Sequence, residues 1–118
     1  MELEHRIVEN ILVVKLKGET LDSRSAQEFQ KQIFDLIQNE HYHLLLNLKK
    51  IQFIDSSGLG AIVTILKKIL PDSALKLCGL NKNVAFAFEI TNLHKIFDIY
   101  ESQATALQAF QKENRILA

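Results

Sequence analysis

The chain is 118 residues long, 47% hydrophobic and 24% charged, with 14 Lys and Arg against 14 Asp and Glu. That length and composition suit one ordinary globular domain over residues 1–118, and the zero formal charge speaks against nucleic-acid and membrane-surface partners, which call for a basic excess. The single Cys78 excludes an internal disulfide and points to a reducing compartment, and the acidic start Met1-Glu2-Leu3-Glu4 with only short apolar runs argues against a secretory leader or a membrane span, so a cytoplasmic location is expected.

Ile7-Val8 and Ile11 to Lys17, separated by Glu9-Asn10, read as two strands joined by a tight turn; Val14 and Leu16 alternate with Lys15 and Lys17, and Gly18 stops the run. Ser25-Ala26-Gln27-Glu28 has the form of a capping box. It opens a helix to about Asn39 with Ala26, Phe29, Ile33, Leu36 and Ile37 on one face. Leu44–Leu48 is almost wholly apolar, as a central strand covered on both faces should be. A second short apolar stretch leads into Asp55.

From Ser57 the apolar positions Leu59, Ile62, Val63, Leu66, Ile69 and Leu70 follow a helical period. Lys67 and Lys68 favour its C-terminal dipole, and Pro71 ends it. Ala74–Cys78 alternates into Gly79 as a further strand. Asn81 caps a short helix with Val84, Ala87 and Phe88 inward, Ile96–Tyr100 is a last strand, and Ser102 caps a final helix with Ala106, Leu107 and Phe110 inward. The order β-β-α-β-α-β-α-β-α implies an α/β domain with a mixed, mostly parallel sheet of four to five strands, about four helices, and an antiparallel opening hairpin.

The chemistry concentrates at Asp55-Ser56-Ser57-Gly58, a strand end that displays serines at a helix start. Free N–H groups and the helix dipole stabilise an anion there, so a phosphoryl group on either serine would be well placed. One capping residue, worth about 1 kcal/mol, would suffice for the helix. Here three candidates are adjacent, and Gly58 and Gly60 each weaken a first turn by up to about 1 kcal/mol, which suggests a need for close approach. Gly18-Glu19-Thr20-Leu21-Asp22-Ser23-Arg24 forms a second polar connection, able to share a sheet edge with the first.

Enzymatic readings lack their parts. No G-x-S-x-G elbow surrounds Ser56, and His5, His41, His43 and His94 have no spacing that sets a base beside it. No phosphate-binding loop or dinucleotide fingerprint occurs, since glycine is missing where Val63 stands. Cys78 lacks a cysteine partner and His41-Tyr42-His43 lacks a third ligand, so no metal or other cofactor is expected and the two histidines read as solvated loop residues.

Asp55-Ser56-Ser57-Gly58-Leu59-Gly60, preceded by Phe53-Ile54, resembles the signature of the STAS-domain anti-sigma-factor antagonists of bacteria. Leu16–Asp22 is similar to the family's Gly-Glu-Leu-Asp turn, Leu44–Leu48 to its central strand, and Val84–Phe88, Ile90–Leu93 and Ile96–Ile99 to its closing helix-turn-strand pattern. The resemblance implies a STAS-like fold and a non-enzymatic switch. Such a protein binds a serine-kinase anti-sigma factor while unphosphorylated, is switched off when that kinase phosphorylates it, and is restored by a metal-dependent serine phosphatase. By motif the acceptor is Ser56, with Ser57 more suited to capping. The implied partner patch is Asp22, Ser23, Asp55, Ser56, Ser57 and Gly58, with Ala61 and Thr64 as exposed positions of the following helix; Gly58 and Gly60 would let a partner's backbone approach. The turn Gly18-Glu19-Thr20-Leu21-Asp22 is one residue longer than the family form, and the connection Leu70–Ala74 is somewhat short. A competing expectation is a STAS scaffold or ligand-sensing subunit of a larger complex, stressosome-like or associated with a lipid transporter. The chain's length without a sensory segment and the intact serine favour the antagonist, and a nucleotide-binding protein lacks any phosphate motif.

Overall fold

The computed structural model describes residues 1–38 and 40–117. Strands β1 (Leu3–Val8) and β2 (Ile11–Leu16) form the antiparallel hairpin. β1 runs farther back than Ile7 because backbone pairing with β2, from Leu3↔Leu16 to Val8↔Ile11, holds its exposed Glu4-His5-Arg6 in place without burial. β2 then pairs in parallel with β4 (His43–Asn47), β4 with β6 (Leu75–Cys78), and β6 with β7 (Asp98–Tyr100). The order is β1-β2-β4-β6-β7. A second, two-stranded parallel sheet joins β3 (Thr20–Leu21) to β5 (Phe53–Ile54).

Helices α1 (Ala26–Ile37), α2 (Ser56–Ile69) and α3 (Lys82–Ile90) are the crossovers of the parallel strands, and the preferred right-handed connection sends them all to one face. There Phe29, Ile33, Ile62, Ile65, Val84 and Phe88 bury Leu12, Val14, Leu44, Leu46 and Leu77. α4 (Gln103–Leu117) covers the opposite face, where Ala106 and Phe110 pack on Ile11, Val13, Leu45 and Cys78. β6 therefore does not behave as a half-buried alternating strand: all four of its residues are buried.

Local expectations meet tertiary structure in several places. The capping box does not form. Ser25 Oγ accepts from Asp22 N–H (3.2 Å) and donates to the Thr20 carbonyl (3.3 Å), while the Glu28 carboxylate lies 3.1 Å from the Met1 nitrogen. α1 stops at Ile37, and its expected end at Asn39 lies outside the described residues. Asn81 does cap α3, accepting from Val84 N–H at 2.8 Å, and Ser102 caps α4, accepting from Thr105 N–H at 3.2 Å. His43 belongs to β4 and not to a solvated loop: Nδ1 accepts the Ala74 N–H (2.9 Å) and the ring stacks on Phe110 at 5.6 Å. Leu70, expected inward, is half exposed, and Ile96 is exposed ahead of the shorter β7.

Cys78 is fully buried, and desolvation pushes its thiol up to about 11 from an ordinary 9.0. Between those values the folded chain holds a proton that the unfolded chain has released, so stability falls as pH rises through this window. An aromatic disulfide reagent at pH 8 is expected to leave the native thiol untouched and to label it fully in guanidinium; fast native labelling would contradict this burial.

Candidate functional site

The parallel pairing Leu21↔Ile54 brings the two polar connections side by side. β3 and β5 are each two residues long, too short for sheet periodicity to reveal, yet they carry the site. Gln52 N–H donates to the Glu19 carbonyl at 2.6 Å, and Asp55 N–H to the Leu21 carbonyl at 3.3 Å. Immediately beyond this pair each chain turns into a helix, α1 after β3 and α2 after β5. Both helix starts therefore open at the same edge.

Asp55 is the N-cap of α2. Its Oδ1 accepts from Gly58 N–H at 3.0 Å, and its Oδ2 accepts from Ser23 N–H across the gap at 3.2 Å. One carboxylate thus caps a helix and ties the neighbouring loop to it. Capping falls to Asp55, so Ser57 is not needed for it. Ser56 and Ser57 occupy the first two helical positions, both exposed, and among the described residues neither hydroxyl nor either backbone N–H has a hydrogen-bond partner. Asp55→Ala is expected to destabilise the fold by about 1–2 kcal/mol and to raise amide exchange at Ser23 and Gly58 together; urea unfolding with hydrogen exchange checks this, and unchanged exchange at Ser23 would contradict the cross-tie.

Asp22 is largely buried and already paired. Oδ2 accepts from Arg24 Nη2 (2.9 Å) and Nε (3.3 Å), and Oδ1 accepts from Arg24 N–H (3.0 Å). The hydrogen bonds from Arg24 hold this carboxyl below its ordinary value of 3.8. Its contribution to stability is therefore present above that value and lost as pH falls through the lowered one. Arg24, which the motif reading passed over, is the cation of the site; its place two residues after Asp22 was the available signal.

Two of the expected patch residues face the wrong way for direct contact. Ala61 is 4% exposed and packs into the core with Leu59 and Ile62. Gly58 is buried as well, and a Cβ there would meet the Leu21 carbonyl oxygen at 2.3 Å. The absence of a side chain at Gly58 lets α2 close onto β3, within the molecule. Gly60 is the open one: it is exposed, and a Cβ would find nothing within 4 Å. Thr64 is exposed as expected, its hydroxyl donating to the Gly60 carbonyl at 2.9 Å. No group of three metal-ligating side chains occurs among the described residues.

The profile of the STAS domain matches residues 2–106. An anti-sigma F factor antagonist from Paenibacillus polymyxa is 35% identical over 109 residues, covering 91% of this chain and 91% of that protein. The chain belongs to the STAS-domain anti-sigma-factor antagonist family. The Thermotoga maritima protein TM1081 has a crystal structure that superimposes on this STAS domain with a TM-score of 0.83 at 30% identity, over 91% of this chain and 92% of that one. The antagonist SpoIIAA in its unphosphorylated form shares the fold at 17% identity, with a TM-score of 0.77 over 94% of this chain and 97% of that one. Among the described residues no helix of this STAS domain is long and apolar enough to cross a membrane.

Proposed function

We propose that this STAS domain is a non-enzymatic antagonist that binds a serine-kinase anti-sigma factor through the Asp22–Ser23 and Asp55–Gly58 edge, and that phosphorylation of Ser56 ends the binding. The observation that carries the reading is Ser56 itself: an exposed hydroxyl without an internal partner among the described residues, at the first turn of α2, beside a carboxylate whose two oxygens are both occupied by backbone N–H groups. Ser23 and Ser57 are exposed polar positions at the same edge, and Thr64 is exposed eight residues farther along α2, while Asp22, Asp55 and Gly58 shape the edge from within.

In the transfer, Ser56 Oγ attacks the terminal phosphorus of a nucleoside triphosphate held by the kinase. The Oγ–P bond forms as the bond to the nucleoside diphosphate breaks, and the hydroxyl proton passes to a base of the kinase. The product adds nearly two negative charges at neutral pH. They sit at a helix N-terminus, where the domain tolerates them, but a partner surface fitted to a neutral serine meets repulsion and unpaired, desolvated charge. A metal-dependent serine phosphatase would return the hydroxyl. The relatives named as antagonists support this reading, and so does the existence of a solved structure of the same fold, Bacillus SpoIIAA in the phosphorylated form, at 16% identity.

Intact-mass and peptide mass spectrometry of the protein from its native cells tests the proposal. Phosphate on Ser56 in a fraction of molecules is the expected result; Ser56 unmodified under every growth condition would overturn it in favour of a scaffold or ligand-sensing role. Ser56→Asp is expected to bind the cognate kinase at least about tenfold more weakly than wild type, a loss of about 1.4 kcal/mol, by titration calorimetry. Equal affinity would count against the switch.

A further inference from the structure

Asp22 and Arg24 form the one ion pair at this edge among the described residues, and the pair is lopsided. The Asp22 side chain is 12% exposed and the Arg24 side chain 83% exposed. Such a pair contributes little to stability, because the guanidinium exchanges readily with water. Nε and Nη2 both donate to the same carboxylate oxygen, which leaves other guanidinium N–H donors without a partner among the described residues. The hydrogen bond from Ser23 N–H to Asp55 Oδ2, at 3.2 Å, pins the two strands together one residue before Arg24 on one side and one residue before Ser56 on the other. A group attached to Ser56 therefore emerges next to the arginine's loop.

We propose that Arg24 reads the state of Ser56: it holds Asp22 while Ser56 carries a free hydroxyl, and it transfers to the phosphate once one is attached, uncovering the Asp22 carboxylate. The inference rests on the phosphorylation reading above. The phosphate wins the competition by charge and by shape. It carries nearly twice the charge of a carboxylate, and its three oxygens accept the guanidinium fork in two parallel hydrogen bonds. The backbone N–H groups of Ser56 and Ser57 stand open beside it, and the first turn of α2 has no acidic residue to compete. Within the two connections, residues 22–25 and 55–58, the charged groups are Asp22, Arg24 and Asp55. With a free hydroxyl they sum to one negative charge, and with the phosphate to about three. The partner then meets the uncovered Asp22 carboxylate as well as the phosphate, with Arg24 engaged by the phosphate. Arg24 is a positioning residue in this scheme; it takes no part in the transfer itself.

The test uses the chain with phosphoserine installed at position 56 by genetically encoded incorporation, without any kinase. Titrations followed by ³¹P NMR, and by ¹³C NMR of the Asp22 carboxyl, compare wild type with Arg24→Ala and Arg24→Lys at low salt. In wild type the second ionisation of the phosphate is expected about half to one pH unit lower than in Arg24→Ala, with Arg24→Lys between them. Asp22 is expected to titrate at higher pH in the phosphorylated chain than in the unmodified one. Superimposable phosphate titrations of wild type and Arg24→Ala, or an Asp22 titration unmoved by the phosphate, would overturn the proposal. Amide spectra of the same samples establish that each variant is folded, and Arg24→Lys preserves the comparison if the alanine variant is not. Because the phosphate is installed directly, this outcome is independent of whether native cells modify Ser56, which mass spectrometry reads separately.

Discussion

Gly58→Ala is expected to lower the unfolding free energy by about 3 kcal/mol, whereas Gly60→Ala, two residues along the same helix, is expected to raise it by up to about 1 kcal/mol. Both glycines lie in α2, so both gain the same helix propensity on acquiring a methyl group. The difference is what the methyl meets. At Gly58 it would stand 2.3 Å from the Leu21 carbonyl oxygen and 2.7 Å from Ile54 Cγ1. The first neighbour is backbone and cannot rotate away, so α2 and β3 must separate and the β3–β5 pairing weakens with them. At Gly60 there is nothing within 4 Å. Urea unfolding of both variants reads the contrast as midpoints displaced in opposite directions at similar slope. Equal midpoints would show that β3 yields cheaply and that the edge is looser than its hydrogen bonds indicate. Under the proposed function, Gly58→Ala is also expected to weaken binding of the anti-sigma partner, because the separation disturbs the edge that holds Ser23 and Ser56.

Lys76→Ala is expected to cost about 2–4 kcal/mol and Lys76→Met less than about 1.5 kcal/mol. The Lys76 side chain is 0% exposed, a rare condition for lysine. Its Nζ donates to Glu113 Oε1 (2.8 Å), Asp98 Oδ2 (3.2 Å) and the Tyr100 hydroxyl (3.3 Å), and it lies 4.9 Å from the centre of the Phe110 ring. Burial by itself lowers the ammonium's pKa, but the three hydrogen bonds outweigh it and leave Lys76 above its ordinary 10.5. Truncation to alanine leaves a cavity beneath α4. Methionine keeps the stem's volume, and both carboxylates, 62% and 48% exposed, can return to water. Thermal unfolding with hydrogen exchange on α4 distinguishes the two effects: selective loss of α4 protection in Lys76→Ala is expected. An equal cost for both variants would mean that the ion pairs, and not the packing, hold the helix. The raised pKa adds stability that is present below the ordinary lysine range and lost as pH climbs through the folded value, the same direction as Cys78.

The resemblance carried by Asp55 to Gly60 and by the Gly18–Asp22 turn agrees with the STAS match over residues 2–106, and it was legible because these segments are local: a strand end, a turn and a helix start are set by neighbours in sequence. α2 and the caps at Asn81 and Ser102 were legible for the same reason. β5 is legible only as a strand end leading into Asp55, and β3 and its pairing with β5 are not legible, since two residues show no alternation and the pairing joins segments 33 residues apart in register. The capping box at Ser25 was a sound local reading overruled by tertiary contacts, with Ser25 drawn to Thr20 and Glu28 to Met1. Ala61, expected at the surface, is buried; alanine carries almost no information about which face of a helix it occupies.

By itself the sequence determined the α/β alternation, the helical crossovers, the serine displayed at the start of α2, and the absence of recognisable catalytic or metal-binding motifs. These follow from residue type and short spacing, which act through local backbone preference and hydrophobic period. Only the tertiary structure decided which oxygen meets which donor. Asp55 caps α2 and ties down Ser23, Gly58 is closed against β3 while Gly60 is open, Asp22 is covered by Arg24, and Lys76 is buried beneath α4. Each of these depends on segments far apart in the chain brought together at hydrogen-bonding distance, and hydrogen bonds and packing discriminate over fractions of an ångström that no local pattern encodes.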